Sequence, residues 1–405
     1  MRVAHISHTN GRSGSGIAVR RINEALNQNL GIKKSFLRVN RKYDADQNTI
    51  CPNNKITNKY QMSKLYFERI LVKLIKYNDS NFHSLSCLPS TLDQEINKLN
   101  AEVINLHWVQ HEMISIESIG KIKKPIIWTL HDSWAFSSTE HYPYNNENKQ
   151  NLIHKFIDNW CMQRKINSWK NEFTIVCPSL WLADIAKKSN LMKNWNINVI
   201  PNPININKFY PKDKKYARLQ LNIPFKSKVI AYGAIDGLLD LRKGGDLLLK
   251  TLEKIDASNI NLTIIIFGKE KKLKIKENSR IKFINSGLIF DEDKLALIYS
   301  AADLMIVPSR QESFGQTASE AMSCGTPVIA YKTSGLIDII NNNENGILID
   351  PFDHDQMAKT IIKVLNQKEK LLEFGENARN KALKEWSYKI ISEKYKNIYL
   401  SVLDK

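Results

Sequence analysis

The stretch Asp303–Ile329, DLMIVPSRQESFGQTASEAMSCGTPVI, decides the fold. It contains an apolar strand at Leu304–Val307, a loop that opens with Pro308-Ser309, and a helix that we expect to begin near Gly315. Apolar runs of this kind alternate with helix-period segments along most of the chain. They read as buried strands rather than as half-exposed ones, which is typical of parallel sheets covered by helices on both faces. The sequence therefore predicts an α/β fold with doubly wound parallel sheets.

The candidate strands form two series separated by a proline-rich linker, Ile200–Pro211, IPNPININKFYP. We predict two Rossmann-like domains that face each other across a cleft, residues 1–205 and 206–384. A C-terminal helix, 385–405, is expected to pack back on the first domain. Ligands of such sheets collect at the carboxyl ends of the strands. The strands before the linker are Val3–Ser7, Glu102–Leu106, Ile126–Leu130, Thr174–Val176 and Val199–Ile200; those after it are Val229–Gly233, Leu262–Phe267, Ile281–Phe283, Leu304–Val307, Pro327–Ala330 and Gly346–Leu348.

Two carboxylates bracket the helix start in the second series. A helix start presents free N–H groups and a partial positive charge, which suit a phosphate, and Gly315 permits close approach of the backbone. Glu312 precedes this start and Glu320 lies inside the helix, so each can accept hydrogen bonds from a different part of an elongated ligand. Arg310 is a candidate partner for either. Alternatively, Glu312 is a favourable charge near a helix start and Glu320 lies on a solvated face.

Arg242 and Lys243 open another helix, after the strand that ends at Gly233. A phosphate or diphosphate ligand would require cations of this kind to balance its negative charge. The alternative is that both residues are ordinary solvated side chains. Cations are mildly disfavoured at a helix start, so their presence there favours an anionic ligand.

Two predicted strands of the first domain end in histidine, at His107 and at His131. Strand ends are where ligands collect, but a hydrogen-bonded histidine with no ligand is an alternative at both, and the favoured one for His107. Asp132 either orients His131 or caps the next loop. The loop that follows the first strand contains Gly14, Ser15 and Gly16, whose backbone could approach a diphosphate or an acceptor.

The segments ESFGQTASE and AMSCGTPVIA resemble the E-x7-E signature of the retaining glycosyltransferase family 4, which has the GT-B architecture. The resemblance extends over nearly the whole chain. TLHDSWAF, CPSLWLADIAKKSNLM, VIPNPIN and RKGGDLLL are most similar to the branch that builds exopolysaccharide of the colanic-acid type. The resemblance implies a hexosyltransferase that uses a nucleotide-diphosphate sugar and no other cofactor. The acceptor implied is a glycan or a lipid-linked oligosaccharide in the synthesis of exopolysaccharide or lipopolysaccharide.

The resemblance also implies roles for individual residues. The carboxylate of Glu312 would contact the donor sugar, that of Glu320 the ribose hydroxyls, and His131 the sugar at the reaction centre. The chain departs from the family pattern at Ala234, where many members have an arginine, and the loop after Asp132 lacks the cysteines common in this branch. The remaining donor residues implied are Arg242 and Lys243 for the diphosphate, the backbone of Ser313, Phe314 and Gly315, and Gly287 and Leu288 near the base.

Composition excludes several other classes of protein. The 405 residues carry a net charge of +18, which indicates either an anionic partner or a general enrichment in lysine. No aromatic residues are interleaved with a basic groove, so we expect no nucleic-acid partner. The five cysteines are far apart, which predicts neither a disulfide framework nor a zinc cluster. The chain has no apolar run long enough to span a bilayer and no secretion signal, so we expect a cytoplasmic protein.

Residues 55–76 form a basic amphipathic pattern. Apolar residues recur at helical spacing between Phe67 and Ile75, and six cations accompany one acid, Glu68. Such a helix either lies on anionic lipid or packs on its own domain. A peripheral position on the cytoplasmic face of the inner membrane is thus one expectation.

Asp291-Glu292-Asp293 spells a D-x-D motif, but a helix cap at Asp291 explains it better, and we expect no catalytic metal. The GxGxxG fingerprint of a dehydrogenase is absent. An epimerase or phosphorylase on the same fold, or a catalytically idle glycan-binding protein, is the alternative to a transferase.

Overall fold

A computed structural model describes residues 1–43, 46–52, 55–77, 82–143, 152–258, 260–269 and 279–404. The chain divides into two compact units. The first comprises Met1–Pro201 and Ile391–Lys405, and the second Asn202–Ile390. The predicted boundaries, 205 and 385, lie within a few residues of this division. The first unit is thus built from two separate stretches of the chain.

The first unit contains a parallel sheet of seven strands in the order β3-β2-β1-β4-β5-β6-β7. The order reverses beside β1, as in doubly wound folds. Strands β1, β4, β5 and β6 are buried along most of their length, as their continuous apolar runs predict. The strands are Arg2–Thr9 (β1), Lys34–Arg41 (β2), Thr49–Ile50 (β3), Val103–Leu106 (β4), Ile126–Thr129 (β5), Thr174–Cys177 (β6) and Ile197–Val199 (β7). The helices are Gly14–Asn27 (α1), Lys55–Ile75 (α2), Leu92–Lys98 (α3), Ile116–Ile119 (α4), Leu152–Ser168 (α5) and Leu180–Lys188 (α6).

The second unit repeats this architecture with six parallel strands in the order β10-β9-β8-β11-β12-β13. Buried apolar clusters cover both faces of the sheet. The strands are Lys228–Gly233 (β8), Leu262–Phe267 (β9), Ile281–Asn285 (β10), Leu304–Val307 (β11), Val328–Tyr331 (β12) and Gly346–Ile349 (β13). The helices are Lys214–Gln220 (α7), Gly245–Asp256 (α8), Glu292–Ala301 (α9), Gln316–Ser323 (α10), Leu336–Ile339 (α11), His354–Leu365 (α12) and Lys368–Glu385 (α13), with a 3-10 turn at Gly237–Leu239. The prediction of two doubly wound parallel-sheet domains is confirmed.

The last helix, Tyr388–Leu403 (α14), completes the core of the first unit. Ile391, Tyr395 and Tyr399 are buried in one apolar cluster with residues of β1, β4, β5 and β6. Polar contacts add to this packing, since Asn105 Nδ2 donates to Tyr399 Oη at 2.8 Å and Thr129 Oγ1 lies 3.2 Å from Tyr395 Oη. Burial of this aromatic face makes α14 an integral part of the first unit.

In the described part of the chain, no helix has the combination of length and apolarity that crossing a bilayer requires.

Candidate functional site

Four loops meet at the carboxyl edge of the second sheet. Strands β10, β9, β8 and β11 are neighbours in the sheet, and their chains continue into Gly287, Gly268, Ala234 and Pro308 respectively. Gly268 N donates to Gly287 O at 2.8 Å, and Ala234 N donates to the last residue of β9. The loops therefore form one continuous rim. The exposed Leu288 lies on this rim, beside Gly287.

The Arg242–Gly245 loop packs directly against the loop after β11. Gly244 has φ +71°, and a Cβ atom at that position would lie 1.8 Å from Pro308 O. Only glycine adopts this conformation at such close range. Arg310 N also donates to Arg242 O at 2.7 Å. The two segments that the sequence assigns to a diphosphate site are thus in contact.

Lys243 and Glu312 form an ion pair between these loops. Lys243 Nζ lies 2.6 Å from Glu312 Oε1 and 2.7 Å from Oε2, and Ser309 Oγ donates to Oε1 at 2.9 Å. The Glu312 side chain is 7% exposed and that of Lys243 24%. A carboxylate so deeply buried needs partners of this kind to remain charged.

The ionisation of this pair follows from burial and charge. Burial alone would raise the pKa of Glu312, but the charges of Lys243 and Arg242 and the hydrogen bonds from Lys243 and Ser309 hold this pKa below its ordinary value. Burial lowers the pKa of Lys243, and the charge of Glu312 offsets part of that effect. The backbone of Glu312 is also held, because Glu312 N donates to Ser334 Oγ at 2.8 Å and Glu312 O accepts from Gly335 N at 2.9 Å.

The two arginines beside this pair have different partners. Arg242 contacts Asp240, with Nη2 3.2 Å from Oδ2, and donates to Gln311 O at 3.3 Å. The prediction that Arg310 pairs with Glu312 or Glu320 is wrong. Arg310 forms a two-pronged ion pair with Asp246, at 2.7 and 2.8 Å. The planar guanidinium fits that carboxylate in both hydrogen bonds, and this pairing joins the loop after β11 to the first turn of α8.

Helix α10 begins after Gly315, whose φ is +104°. A side chain at Gly315 would approach Leu336 Cδ2 to 2.9 Å. Phe314 is buried in the apolar core and holds the turn in place, while Ser313 lies partly exposed beside it. The loop therefore offers backbone rather than the Phe314 ring to a ligand, as the sequence suggests.

Glu320 is buried inside α10 and not on a solvated face. Tyr299 of α9 donates to Glu320 Oε2 at 2.8 Å. The alternative interpretation of Glu320 as a surface charge is therefore wrong. A buried carboxyl group needs hydrogen-bond partners, and the Tyr299 hydroxyl is one of those of Glu320.

The first unit brings its predicted residues to the carboxyl edge of its own sheet. His107 follows β4 and His131 follows β5, and Gly14, Ser15 and Gly16 form the first turn of α1 after β1. Gly16 N donates to Ser13 Oγ at 3.0 Å, which caps the helix. Because β1, β4 and β5 are adjacent, these residues lie along one edge.

Asp132 does not orient His131 by a hydrogen bond. Its carboxylate accepts from the ring of Trp108 at 2.8 Å, from Trp134 N at 3.1 Å and from His141 Nδ1 at 2.5 Å. Burial would raise the pKa of Asp132, but these partners hold it below its ordinary value. The loop-cap interpretation of Asp132 is thus correct. Asp132 belongs to the wall that supports the site, and its predicted contact with an acceptor or diphosphate stays a prediction.

The D-x-D motif is occupied by structural contacts. Asp291 Oδ1 accepts from Asp293 N at 2.9 Å and from Lys294 N at 3.2 Å, which confirms the helix cap at the start of α9. Asp293 pairs with Lys208 at 2.7 Å. Among the residues that the structure describes, no group of three or more histidine, cysteine or acidic side chains is arranged to hold a metal ion.

Sequence reasoning missed several residues of these sites. Tyr299, Ser309 and Ser334 position the two carboxylates, and His5, inside β1, contacts His107. Only Ser309 had a sequence signal, because it lies between a strand and Glu312. The others are brought in by tertiary packing from distant positions.

Two parallel-sheet units of this order, with a helix-start loop at the carboxyl edge of the second, define the GT-B class of fold. Residues 220–381 match the family model described as "Glycosyl transferases group 1".

The chain is also similar to individual proteins, in sequence to curated relatives and in fold to solved structures. The chain is 30% identical over 218 residues to the D-inositol 3-phosphate glycosyltransferase of Corynebacterium jeikeium, covering 50% of this chain and 51% of that protein. The chain thus spans about half the length of the curated relatives it matches. The structure of sucrose-phosphate synthase from Thermosynechococcus elongatus aligns with a TM-score of 0.66 at 19% identity, covering 100% and 99% of the two chains. Anabaena HepE in complex with UDP and glucose aligns with a TM-score of 0.65 at 14% identity, covering 99% and 100%. At these identities the likeness concerns the fold.

Proposed function

We propose that the protein is a retaining glycosyltransferase of family 4. It transfers a hexosyl group from a nucleotide-diphosphate sugar to a glycan or lipid-linked acceptor, in the synthesis of a surface polysaccharide of the colanic-acid type. The observation that carries this proposal is the buried ion pair of Lys243 and Glu312, which lies beside the start of α10. A protein with no anionic substrate has little use for a half-buried cation held at a helix start, since that position already disfavours positive charge.

The chemistry follows from where charge develops. As the bond to the sugar breaks, negative charge accumulates on the diphosphate, and the Lys243 ammonium and the N–H groups at the start of α10 stabilise it. Interactions that strengthen in the transition state are those that accelerate the reaction. In the proposed retaining mechanism the acceptor attacks from the face that the diphosphate leaves, and a phosphate oxygen takes the acceptor proton.

Each donor residue then has a part in this proposal. Glu312 accepts hydrogen bonds from the sugar hydroxyls and keeps Lys243 charged, while Glu320 accepts from the ribose hydroxyls. Gly287 and Leu288 contact the base. Arg242, Ser313, Phe314 and Gly315 contribute to the diphosphate and sugar through charge or backbone. HepE, which has the same fold, is known in complex with UDP and glucose, which is in keeping with a nucleotide-sugar donor.

The acceptor is assigned to the first unit, which has a cavity of about 650 Å³ at the carboxyl ends of β1–β3. Arg41 and Lys42 supply positive charge to it, and none of its described lining residues is acidic. The relative from C. jeikeium is named for an inositol phosphate, so a phosphorylated acceptor is compatible with this cavity. Gly14, Ser15 and Gly16 lie at the same edge of the sheet. The lining residues are His8, Asn40, Arg41, Lys42, Tyr43, Thr49, Cys51, Pro52, Gln61, Met62, Leu65 and His111.

We also propose that the first unit lies on the cytoplasmic face of the inner membrane through α2 and α5. In α2 the ionisable side chains of Lys64 and Glu68 are buried, with Lys64 Nζ donating to Pro89 O at 3.1 Å. The predicted basic face thus loses Lys64, and the side chain of Lys55 lies outside the described residues. The helix instead exposes apolar side chains, with Tyr66 68% and Leu74 69% exposed.

Helix α5 shows the same inversion of the usual amphipathic pattern, with a charged residue type buried and apolar side chains exposed. Lys165 is fully buried, while Leu152 is 85% and Phe156 68% exposed. His154 Nε2 contacts the carbonyls of Ile75 and Lys76 at 3.0 and 2.9 Å, so the start of α5 adjoins the end of α2. An exposed apolar surface of this kind is characteristic of an interaction site. Nearby exposed cations favour anionic lipid as the partner of this surface; they are Lys59, Arg69 and Lys73 of α2, and Lys76, which follows the helix.

Vesicle co-sedimentation tests the membrane proposal. The full chain should bind vesicles that contain anionic lipid and release partly as salt is raised, because charge contributes to binding. Leu74→Glu and Phe156→Glu should each weaken binding, whereas Leu219→Glu, at an exposed position of the second unit, should leave it unchanged. Absence of binding at both low and high salt would end this proposal.

A thermal-shift panel of nucleotide sugars tests the donor proposal. The preferred donor should raise the melting temperature by mass action, and free UDP or GDP should then appear only when an acceptor is added. Release of no nucleotide but conversion of the sugar would indicate an epimerase, and consumption of inorganic phosphate a phosphorylase. No shift with any nucleotide sugar, together with binding of a glycan, would indicate an idle binding protein.

A further inference from the structure

The cavity at the carboxyl ends of β1–β3 is lined by polar side chains that the protein itself does not satisfy. Four of its lining residues each have one buried nitrogen or oxygen atom with no hydrogen-bond partner within the described part of the chain. Buried polar atoms are nearly always hydrogen-bonded in folded proteins. Four exceptions around one cavity therefore indicate that a ligand or ordered water supplies their partners. The atoms are His8 Nδ1, Asn40 Nδ2, Gln61 Oε1 and His111 Nε2.

The orientation of the Asn40 amide is fixed by a neighbouring arginine. Arg38 Nη1 donates to Asn40 Oδ1 at 2.5 Å, and a guanidinium can only donate, so this side of the amide is its oxygen. Arg38 is held in turn by Glu95, at 2.7 and 2.8 Å. The unpartnered side of Asn40 is therefore its NH2 group, and the side chain is only 9% exposed. Strand β2 thus contributes two fixed N–H donors to the cavity wall.

Arg41 adds a positive charge beside the two histidines. In the described part of the chain its guanidinium has one hydrogen-bond contact, with the sulfur of Met62 at 2.6 Å, and a thioether sulfur is a weak acceptor. Burial and the charge of Arg41 lower the pKa of His8 to about 4. The pKa of His111 is lowered to about 2, first by burial and then by nearby histidines and arginines, Arg41 among them. Both rings are therefore neutral at pH 7, and the charge of the cavity comes from Arg41 and Lys42.

His111 is held in place by the residue that follows it. The Glu112 side chain is fully buried, and its carboxyl oxygens accept from Cys87 N and Leu88 N, each at 2.8 Å. His111 and Glu112 both have positive φ, +60° and +54°, a conformation that residues other than glycine adopt mainly where their surroundings impose it. The anchored Glu112 therefore keeps the His111 ring at the cavity wall.

We propose that this cavity is a binding site for a phosphate ester, whose phosphate contacts the Asn40 NH2 group and Arg41. The polar groups of the cavity come from β1, β2, α2 and the loop after β4, and so from several directions. A tetrahedral phosphate accepts hydrogen bonds from several directions, whereas a carboxylate accepts them close to one plane. A phosphate also balances the charge of Arg41, which ordered water does not. The volume of about 650 Å³ lies within the range of small-molecule sites, about 300–1,000 Å³.

That this phosphate ester is the acceptor of the transferred sugar rests on the proposed function. The binding site itself does not, because every residue that forms it belongs to the first unit and none is assigned to the donor. Two kinds of compound carry such a group, a soluble sugar phosphate and a lipid phosphate. Both would present the same phosphate to Asn40 and Arg41, and they differ in the group that is esterified.

Titration calorimetry of the full chain at pH 7.5, without nucleotide, tests the site. The probes are inorganic phosphate, glucose 6-phosphate and farnesyl phosphate, with glucose as the control that lacks phosphate. We expect the phosphorylated probes to bind and glucose not to bind. Tighter binding of glucose 6-phosphate than of inorganic phosphate would identify a soluble ester, and tighter binding of farnesyl phosphate a lipid one. Binding of no probe, or of inorganic phosphate as tightly as either ester, would overturn the proposal.

Asn40→Asp is the most direct variant. It replaces the unpartnered N–H donors by a carboxylate oxygen and keeps an acceptor for Arg38, so the melting temperature should stay close to that of the wild type. Affinity for the phosphorylated probes should fall by about 10- to 100-fold, as expected when a charge-assisted contact is lost. Arg41→Gln should weaken binding to a similar extent. Wild-type affinity in both variants would refute the assignment.

Lys42→Gln is the matched control for Arg41→Gln. Lys42 Nζ already donates to the backbone carbonyls of Asp46 and Thr49, at 2.5 and 3.2 Å, so its loss should weaken binding much less. An effect as large as that of Arg41→Gln would show that overall charge and not a specific contact holds the phosphate, and would contradict the proposal.

Lys243→Ala separates this site from the proposed donor site of the second unit. The phosphorylated probes should bind this variant as they bind the wild type. Loss of binding in Lys243→Ala with retention in Asn40→Asp would place the phosphate in the second unit and overturn the proposal. These titrations contain no nucleotide sugar, so failure of every nucleotide sugar to bind would count against the proposed function and not against the phosphate site.

Discussion

At the scale of single residues, the second unit has a salt bridge in which the carboxylate of Glu312 is buried and Lys243 is half-buried. Lys243 and Glu312 are held by Ser309 and by the packed loops around them. Removal of one partner from such a pair leaves an uncompensated charge, which costs more than the pair itself contributes. The loops to which we assign a diphosphate should therefore be sensitive to substitution at this pair.

Lys243→Met should destabilise the fold by about 3 kcal/mol at neutral pH. The lowered pKa of Glu312 in the wild type contributes stability above its unfolded pKa, about 4.3, and this contribution is lost as pH falls through the folded value. Without Lys243 the Glu312 pKa should rise, so the deficit should be largest at pH 7.5 and shrink towards pH 4. Urea unfolding at several pH values measures it. The double variant Lys243→Met, Glu312→Gln should recover part of the loss, and an equal deficit at every pH would contradict this account.

Lys243 and Glu320 should affect the kinetics differently. Lys243→Ala removes a charge-assisted contact to the leaving group, so kcat should fall about 10- to 100-fold. Glu320→Ala removes a contact far from the breaking bond and should mainly raise KM. Steady-state kinetics with the preferred donor distinguish the two, and Tyr299→Phe is the milder control for Glu320. Wild-type kinetics in both alanine variants would refute the assignment of the donor site.

At the scale of elements, the Arg242–Gly245 loop requires glycine at position 244, where it packs against Pro308. In Gly244→Ala the new Cβ atom would meet Pro308 O at 1.8 Å, which should separate the loops and abolish nucleotide-sugar binding. Gly325→Ala is a matched control outside the proposed donor site, because Gly325 also has positive φ, +72°, but the closest neighbour of an added Cβ would be the Pro211 side chain at 3.2 Å. It should cost only about 1 kcal/mol of backbone strain. Thermal shifts with and without donor separate the two effects. Equal loss of binding in both variants would show that backbone strain and not the contact is decisive.

The elements most easily predicted are the buried strands. Continuous apolar runs identified β1, β4, β5, β6 and the whole second sheet, because a strand covered on both faces has no polar alternation. Strand β2 was missed because Lys34–Arg41 begins and ends with cations, although its middle is buried. The inverted helix α5 was missed too, since its buried Lys165 and exposed Phe156 contradict the usual amphipathic pattern.

The donor site was more predictable than the first unit's site for a physical reason. Glu312, Gly315 and Glu320 lie close together in the sequence, and local geometry alone places them around one helix start. In the first unit, by contrast, His107 contacts His5 and His131 only when β1, β4 and β5 pair. No short-range pattern contains that information.

At the scale of the whole molecule, α14 is the element on which the first unit depends. Tyr399 is fully buried and bonded to Asn105, so Tyr399→Ala should cost about 3–5 kcal/mol through the cavity it leaves. Tyr399→Phe, which loses only the hydroxyl, should cost about 1–2 kcal/mol. Urea unfolding followed by the tryptophan fluorescence of the first unit measures both. A Tyr399→Ala chain as stable as the wild type would show that α14 is dispensable for this core.

The divided first unit also bears on how the chain is made. Ribosomes synthesise a protein from its N-terminus, and domains usually fold in that order as they emerge from the ribosome. Here residues 2–199 are synthesised first but lack the apolar face of α14 until residues 391–403 appear. The second unit has all its strands and helices before that point. During translation the second unit should therefore reach its native state first. The first unit should complete its fold only after α14 has been synthesised. Until then one part of its sheet is uncovered, and we expect chaperones to bind there.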